Sequence, residues 1–402
     1  VTAFAREVVP VPARVLVRAL VNAPSDAPTR LREGIGRATG ARHVALMSSA
    51  RLGILLLLEA LARRTGEGEI VLWGYNFFAV PDMVRLAGFT PVFVDADDTF
   101  GQPSVERVRS VVGPRTRGIL VSHHFGRPSD VVRWRTLADE LGIAVVEDCA
   151  HAFGASVEGR SVGLWGMGGA FSLSLTKALT GVAGGVVISN ADDVIALLRD
   201  REAQLPAPER TAVNKSIVSA LGGRMLLDPA LYSLVLHPGN RLSGLMGVDP
   251  LDALMTEPPR DPSEPVTRPP EFGIAPAWAA VACHHLQSVE AERAARERAA
   301  RTLIESTDWG EIEPPPFETD RRSAWLNFVV RVSNVPAFRK HLLAAGFDTR
   351  RDYILAMSAA SNELPRARAL ESRGVYLPLR TVAGDDDAIA RLSRAIGTFR
   401  AC

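Results

Sequence analysis

Two apolar runs are each followed closely by polar residues able to share one chemical task. Residues 143–146 lead into Asp148 and His151, and residues 170–175 contain Ser172 and lead into Lys177. If both runs are strands, an acid, an imidazole, a hydroxyl and an amine leave neighbouring strand ends together. Singly, such an aspartate is more often a helix cap, such a lysine a solvated charge and such a histidine a satisfied core group. In this order and context, the joint reading gains over the separate ones. Together they meet the needs of pyridoxal phosphate: a lysine amine to hold its aldehyde, an acid facing its pyridine nitrogen, and donors around its phosphate.

The pattern Asp148-Cys149-Ala150-His151-Ala152-Phe153-Gly154, followed by Ser172 and Lys177 and then Gly184-Gly185, carries a family signature. It resembles the DegT/StrS group of sugar aminotransferases, which are fold-type-I pyridoxal phosphate enzymes. The resemblance implies that Lys177 anchors the coenzyme and shuttles a proton, that Asp148 faces the ring nitrogen, and that His151 meets the ring oxygen. It gives Ser172 and the helix start Ser49-Ala50-Arg51 the phosphate, and Phe77 a place stacked on the ring. The family has Ser-Gly-Thr at that helix start, so here a hydroxyl is lost while the backbone N–H groups and Arg51 remain. His123-His124-Phe125-Gly126-Arg127-Pro128 resembles the family's His-x-Tyr-Gly-x-Pro turn, with His123 a structural group near the coenzyme. Arg350 or Arg351, on a late turn, are the residues offered for a donor carboxylate or a nucleotide phosphate. The family's Asn-Tyr-Arg motif, whose Asn reaches the neighbouring subunit's phosphate, is replaced by Pro270-Glu271-Phe272-Gly273.

The elements that must position these groups alternate. The expected helices cover residues 29–40, 50–64, 104–112, 130–141 and 192–202, with a shorter one ending near 87. Strands are expected at 43–47, 69–73, 91–94 and 118–121. Strand–helix alternation implies a mostly parallel sheet covered on both faces, with sites at the strands' carboxyl ends. The expected fold is therefore α/β: a fold-type-I large domain with a seven-stranded sheet between helices, and a smaller C-terminal α+β domain. Residues 1–28 form an N-terminal arm, 29–203 the coenzyme-binding domain, 204–273 a divergent connector or insertion, 274–306 a linking helix and 307–402 the small domain. One long helix is expected over 276–306 and a strand over 325–332.

At 402 residues and 47% hydrophobic content, the chain can bury a sizeable core. Its 46 basic and 45 acidic residues make no field that points to nucleic acid. Cys149, Cys283 and Cys402 show neither zinc spacing nor a disulfide framework, and no metal site is expected. The apolar start is broken by prolines and arginines, so neither a signal peptide nor a membrane span is expected, and a cytoplasmic location follows.

The functional expectation is amino transfer from glutamate or glutamine to a keto sugar, nucleotide-linked, or a keto cyclitol, in cell-surface or secondary-metabolite biosynthesis by a homodimer. Retention of Lys177 favours transamination, because a dehydrating branch of the family has histidine there. The alternative is a pyridoxal phosphate lyase or carbon–carbon bond enzyme on a non-sugar intermediate. A binding protein without turnover is disfavoured by the intact Asp148, His151, Ser172 and Lys177.

Overall fold

The computed structural model describes residues 2–245, 266–351, 353–357 and 363–400; Cys402 and residues 246–265 of the expected insertion lie outside them. Seven strands make the central sheet: β1 (His43–Met47), β2 (Gly68–Trp73), β3 (Phe89–Val94), β4 (Thr116–Ser122), β5 (Ala144–Asp148), β6 (Gly169–Ser172) and β7 (Gly185–Ser189). Their spatial order is β1-β7-β6-β5-β4-β2-β3. All run parallel except β7, which is antiparallel to both β1 and β6.

Period-two alternation explains the layers. Ile70, Leu72, Leu120, Val146, Ala170 and Val187 face one way, onto the helix Ala50–Thr65. Val71, Trp73, Ile119, Val121 and Val145 face the other, onto the helix Val131–Leu141. The helix Ala50–Thr65 is apolar almost all round because it is buried almost all round. Its Gly53 lets it sit close to the sheet, since a Cβ there would come within 2.8 Å of Val187 and 3.1 Å of Ala170.

A second, three-stranded antiparallel sheet is formed by β8 (Phe328–Arg331), β9 (Arg350–Arg351) and β10 (Gly374–Leu377), in the order β8-β10-β9. It has its own core around Phe328, Phe338, Phe347 and Ile396. The N-terminal arm fastens onto this part, with Arg6 paired to buried Asp348 through two 2.8 Å hydrogen bonds and Glu7 paired to Arg380 at 2.8 Å.

Two expectations are corrected. The long helix over 276–306 is two helices, Pro276–His285 and Val289–Ser306. Between them the backbone tightens to i→i−3 bonds, Gln287 N–H to His284 and Ser288 N–H to His285. The bend lets His285 Nδ1 accept from Thr180 N–H at 2.9 Å, tying the linker to the loop that carries Lys177. The expected strand over 325–332 begins only at Phe328, because Ala324 and Asn327 donate instead to the carbonyls of Gly126 and Phe125. Trp325 between them is left-handed, with φ of 49°.

Candidate active site

Parallel strands bring their carboxyl ends to one edge, and the register makes that edge even. Ser122 at the end of β4 lies opposite Asp148, Asp148 opposite Ala170, and Ser172 at the end of β6 opposite Gly185. A cavity of about 290 Å³ opens there. It brings together Asp148, His151, Ser172, Lys177, Phe77, Ser49, Ala50, Arg51 and Arg350, all named from sequence. Arg351 is exposed and does not line it. The two arginines are consecutive on β9, so strand alternation sends them to opposite faces.

The cradle at one end of the cavity is built by a helix start and a glycine. Ser49 caps the helix Ala50–Thr65, its Oγ accepting from Leu52 N–H at 3.2 Å. The first-turn N–H groups of such a helix form an anion site. Gly184, with φ of 119°, and Gly185 allow the adjoining strand to lie against this turn, since a Cβ on Gly185 would stand 2.1 Å from the Ser49 carbonyl carbon. Across the cradle, Ser172 Oγ and Ser174 Oγ are 2.8 Å apart.

Lys177 sits on a loop held on both sides. Leu173 N–H donates to Gly184, Gly181 N–H to Leu173, and Lys177 N–H to Ser174 at 3.0 Å. Ala178 and Leu179 bury themselves in the core next to it. The half-buried Lys177 reaches the cavity, where burial lowers its pKa to about 8; Asp148 opposes that shift and Arg350 reinforces it.

Asp148 is 8% exposed, and burial raises its pKa. Its Oδ1 accepts from Ala150 N–H at 3.0 Å, while Oδ2 takes no hydrogen bond from the described residues. This is a desolvated carboxylate with room for a cationic N–H.

His151 Nδ1 accepts from Phe125 N–H at 3.3 Å, so Nε2 carries the ring proton. Burial holds its pKa well below the usual histidine range, leaving it neutral. The donor comes from a strained turn, in which Phe125 has φ of 62°. His151 Nε2 meets the Tyr353 hydroxyl at 2.8 Å.

Tyr353 is the residue that sequence reasoning missed. It stands on the far side of the cavity, its ring centre 5.9 Å from Lys177 Nζ and 4.4 Å from the Arg350 guanidinium, stacked on Tyr376. Ser174, Thr176, Asn76 and Ser122 also line the cavity unannounced. The Ser172-x-Ser174 spacing was a signal for the first of these.

His123 lies behind the site. Its Nδ1 accepts from Ser129 N–H at 3.0 Å and its Nε2 faces Glu147 Oε2 at 3.1 Å. Glu147, wholly buried, also accepts from Gly163, Trp165 and Gly166 N–H groups at 2.7–2.9 Å. Cys149 is close enough to complete a metal-like trio with these two. However, both carboxylate oxygens already serve protein donors, and burial raises the thiol's pKa and keeps its proton on. The trio is a structural clasp.

Comparison with known proteins finds likeness in sequence over part of the chain and in fold over nearly all of it. Residues 26–210 match the DegT/DnrJ/EryC1/StrS aminotransferase family. A relative from Acidithiobacillus ferrooxidans, named UDP-N-acetyl-3-dehydro-alpha-D-glucosamine 3-aminotransferase, is 34% identical over 154 residues. That match takes in 38% of this chain and 42% of the relative, so it spans less than half the length of either. Among solved structures, the sugar aminotransferase CalS13 from Micromonospora echinospora superposes with a TM-score of 0.74 at 20% identity, covering 99% of this chain and 100% of that one. DesV of S. venezuelae, solved in complex with a ketimine intermediate, gives 0.70 at 22% identity, covering 96% and 92%. The structural likeness extends the shared fold across nearly the whole described chain. Over residues 26–210, just under half of its length, the chain is thus similar to the DegT/DnrJ/EryC1/StrS aminotransferase family.

Proposed function

We propose that this chain is a pyridoxal phosphate-dependent aminotransferase that moves an amino group from glutamate or glutamine to a keto sugar carried on a nucleotide. The observation that carries the reading is the meeting, in one cavity, of buried Asp148 with its open Oδ2, a lysine of lowered pKa and a helix-start anion cradle. The donor set fits the coenzyme at both of its charged ends. When bound, pyridoxal phosphate supplies an electron sink for the carbon that bears the amine and a carbonyl that carries the amino group between substrates.

The protein's part is distributed. Lys177 Nζ would hold the coenzyme at its carbonyl and would be the base that takes and returns the proton at the substrate carbon. The Asp148 carboxylate keeps a proton on the ring nitrogen, because an opposite charge close by favours the charged form. His151, neutral and protonated on Nε2, would turn its one ring N–H from the Tyr353 hydroxyl to the ring oxygen. Ser172 Oγ and the N–H groups at Ala50 and Arg51 take the phosphate, and Phe77 covers the ring face. Arg350 faces the acidic group of the donor or acceptor.

The nucleotide-sugar acceptor is supported by the activity for which the Acidithiobacillus ferrooxidans relative is named. Because Ser174 is exposed and Arg51 half-buried, one end of the cradle is open, and we infer that a second copy closes it in a homodimer. The free thiols Cys149 and Cys283 suit a reducing cytoplasm. Among the described residues no helix is long and apolar enough to cross a membrane.

The test is a pair of half-reactions on the coenzyme-loaded enzyme. Glutamate or glutamine should bleach the coenzyme's visible absorption, and a nucleotide-linked keto sugar should restore it. If no amino acid bleaches a protein whose coenzyme is bound at Lys177, the reading gives way to a lyase or carbon–carbon bond enzyme. Light scattering at a single-chain mass in an active sample would refute the dimer.

A further inference from the structure

An ordinary surface helix buries its apolar stripe and shows water its polar one. The segment Pro229–Leu245, helical through a π turn at Tyr232–Leu236, has apolar side chains on both sides. Its docked side is mixed: Tyr232 and Leu236 pack with Ala3 and Ala5, while Tyr232 OH donates to Asp348 at 2.9 Å, Ser233 Oγ accepts from Ala3 N–H at 2.9 Å, and His237 Nε2 bonds the Leu343 carbonyl at 2.9 Å. Its outer side carries Leu231, Leu234, Val235 and Leu242, with Leu234 78% exposed. The preceding helix, Arg210–Leu226, buries Val213, Ile217 and Ala220 with Leu16 and Ala19 of the helix Ala13–Val21. On its exposed surface it shows Val218, Met225 and Leu226, while the partner helix shows Val17 and Val21. Nine of the ten exposed large hydrophobic side chains among the described residues therefore sit on these three helices. Such concentration marks an interaction surface.

The charge on the same elements is one-sided. Arg14, Arg18, Arg210, Lys215 and Arg241 are exposed, against Glu209 and Asp228. The chain as a whole is nearly neutral, at +1. We propose that this helical outcrop seats the protein on an anionic lipid bilayer, with the leucines and valines entering the boundary between headgroups and acyl chains and the arginines and Lys215 meeting lipid phosphates. A second copy is the poorer occupant: in a two-fold contact the patch would face itself, setting like charges against each other.

Vesicle flotation of the full-length protein tests this. It should float with vesicles of phosphatidylcholine mixed equally with phosphatidylglycerol, stay behind with phosphatidylcholine alone, and be released by salt. The double variant Leu234→Asp, Val235→Asp should lower partitioning about tenfold or more, since two apolar groups are lost from the boundary. The double variant Lys215→Glu, Arg241→Glu should abolish the preference for the anionic vesicles. Both pairs are exposed, and unchanged far-ultraviolet dichroism and melting would confirm that the fold persists. No flotation with either vesicle, or equal flotation with both, overturns the proposal. So does an oligomer of the native chain that dissociates in the Leu234→Asp, Val235→Asp variant, because then a second copy covers the patch.

Discussion

The proposed chemistry turns on Lys177, because an amine must lose its proton before it can attack a carbonyl. Burial lowers its pKa from 10.5 to about 8, with Asp148 pulling it upward and Arg350 pushing it further down. The neutral form is therefore scarce below that value and dominant above it. Capture of pyridoxal phosphate by the coenzyme-free protein should accelerate with rising pH, with a midpoint near 8 in a stopped-flow absorbance profile. Arg350→Gln removes a like charge and should move the midpoint up. Asp148→Asn removes an opposite charge and should move it down. Identical midpoints in all three proteins would show that neither group acts on the amine. Asp148, His151 and Lys177 could be read from sequence because each follows an apolar run that becomes a sheet strand or leads from one. Tyr353 could not: its bond to His151 joins residues 202 apart, and its own segment has only two-residue strands to announce it.

Among the elements, the proposed phosphate cradle depends on how closely β7 approaches the helix start at Ser49. Gly185→Ala would place a methyl 2.1 Å from the Ser49 carbonyl carbon and 2.5 Å from Ala50 N, where only backbone can yield. We expect a loss of about 1–3 kcal/mol from such overpacking, read by thermal unfolding. Coenzyme affinity measured by titration should fall with it. A variant with native affinity would show that the helix start does not hold the phosphate. Behind the site, Glu147→Gln puts an NH₂ group among N–H donors at a wholly buried position. It should cost about 3 kcal/mol in denaturant unfolding, the scale of a buried carboxylate acceptor replaced by an unpaired donor. A neutral result would remove the clasp between His123 and the 163–166 turn from the account. Apolar periodicity made the strands and most helices legible. The break in the linking helix was not, because it is made by His285 reaching Thr180, a contact that no local pattern records.

The mostly parallel sheet of the whole molecule follows from strand–helix alternation, and a second, smaller sheet with its own core accompanies it. The antiparallel sense of β7 was not read, although the Lys177 loop between β6 and β7 carries no helix for the crossover that a parallel strand needs. The apolar clusters at 225–227 and 231–236 were legible as groups that need covering, but which side of their helices is docked was not. A stripe such as Leu231, Leu234, Val235 and Leu242 reads as a core-facing stripe until Tyr232, Ser233 and His237 are seen to be the docked side. The arm and small part also bear on the site: Arg380 joins Glu7 to the carbonyl of Thr176, next to Lys177, at 2.8 Å each. The most direct measurement of the central claim is borohydride reduction of the coenzyme-loaded protein followed by peptide mass mapping. The coenzyme's mass should be fixed on Lys177 alone, and glutamate or glutamine added before the borohydride should erase it. A label on another lysine, or one on Lys177 that no amino donor removes, would contradict the account.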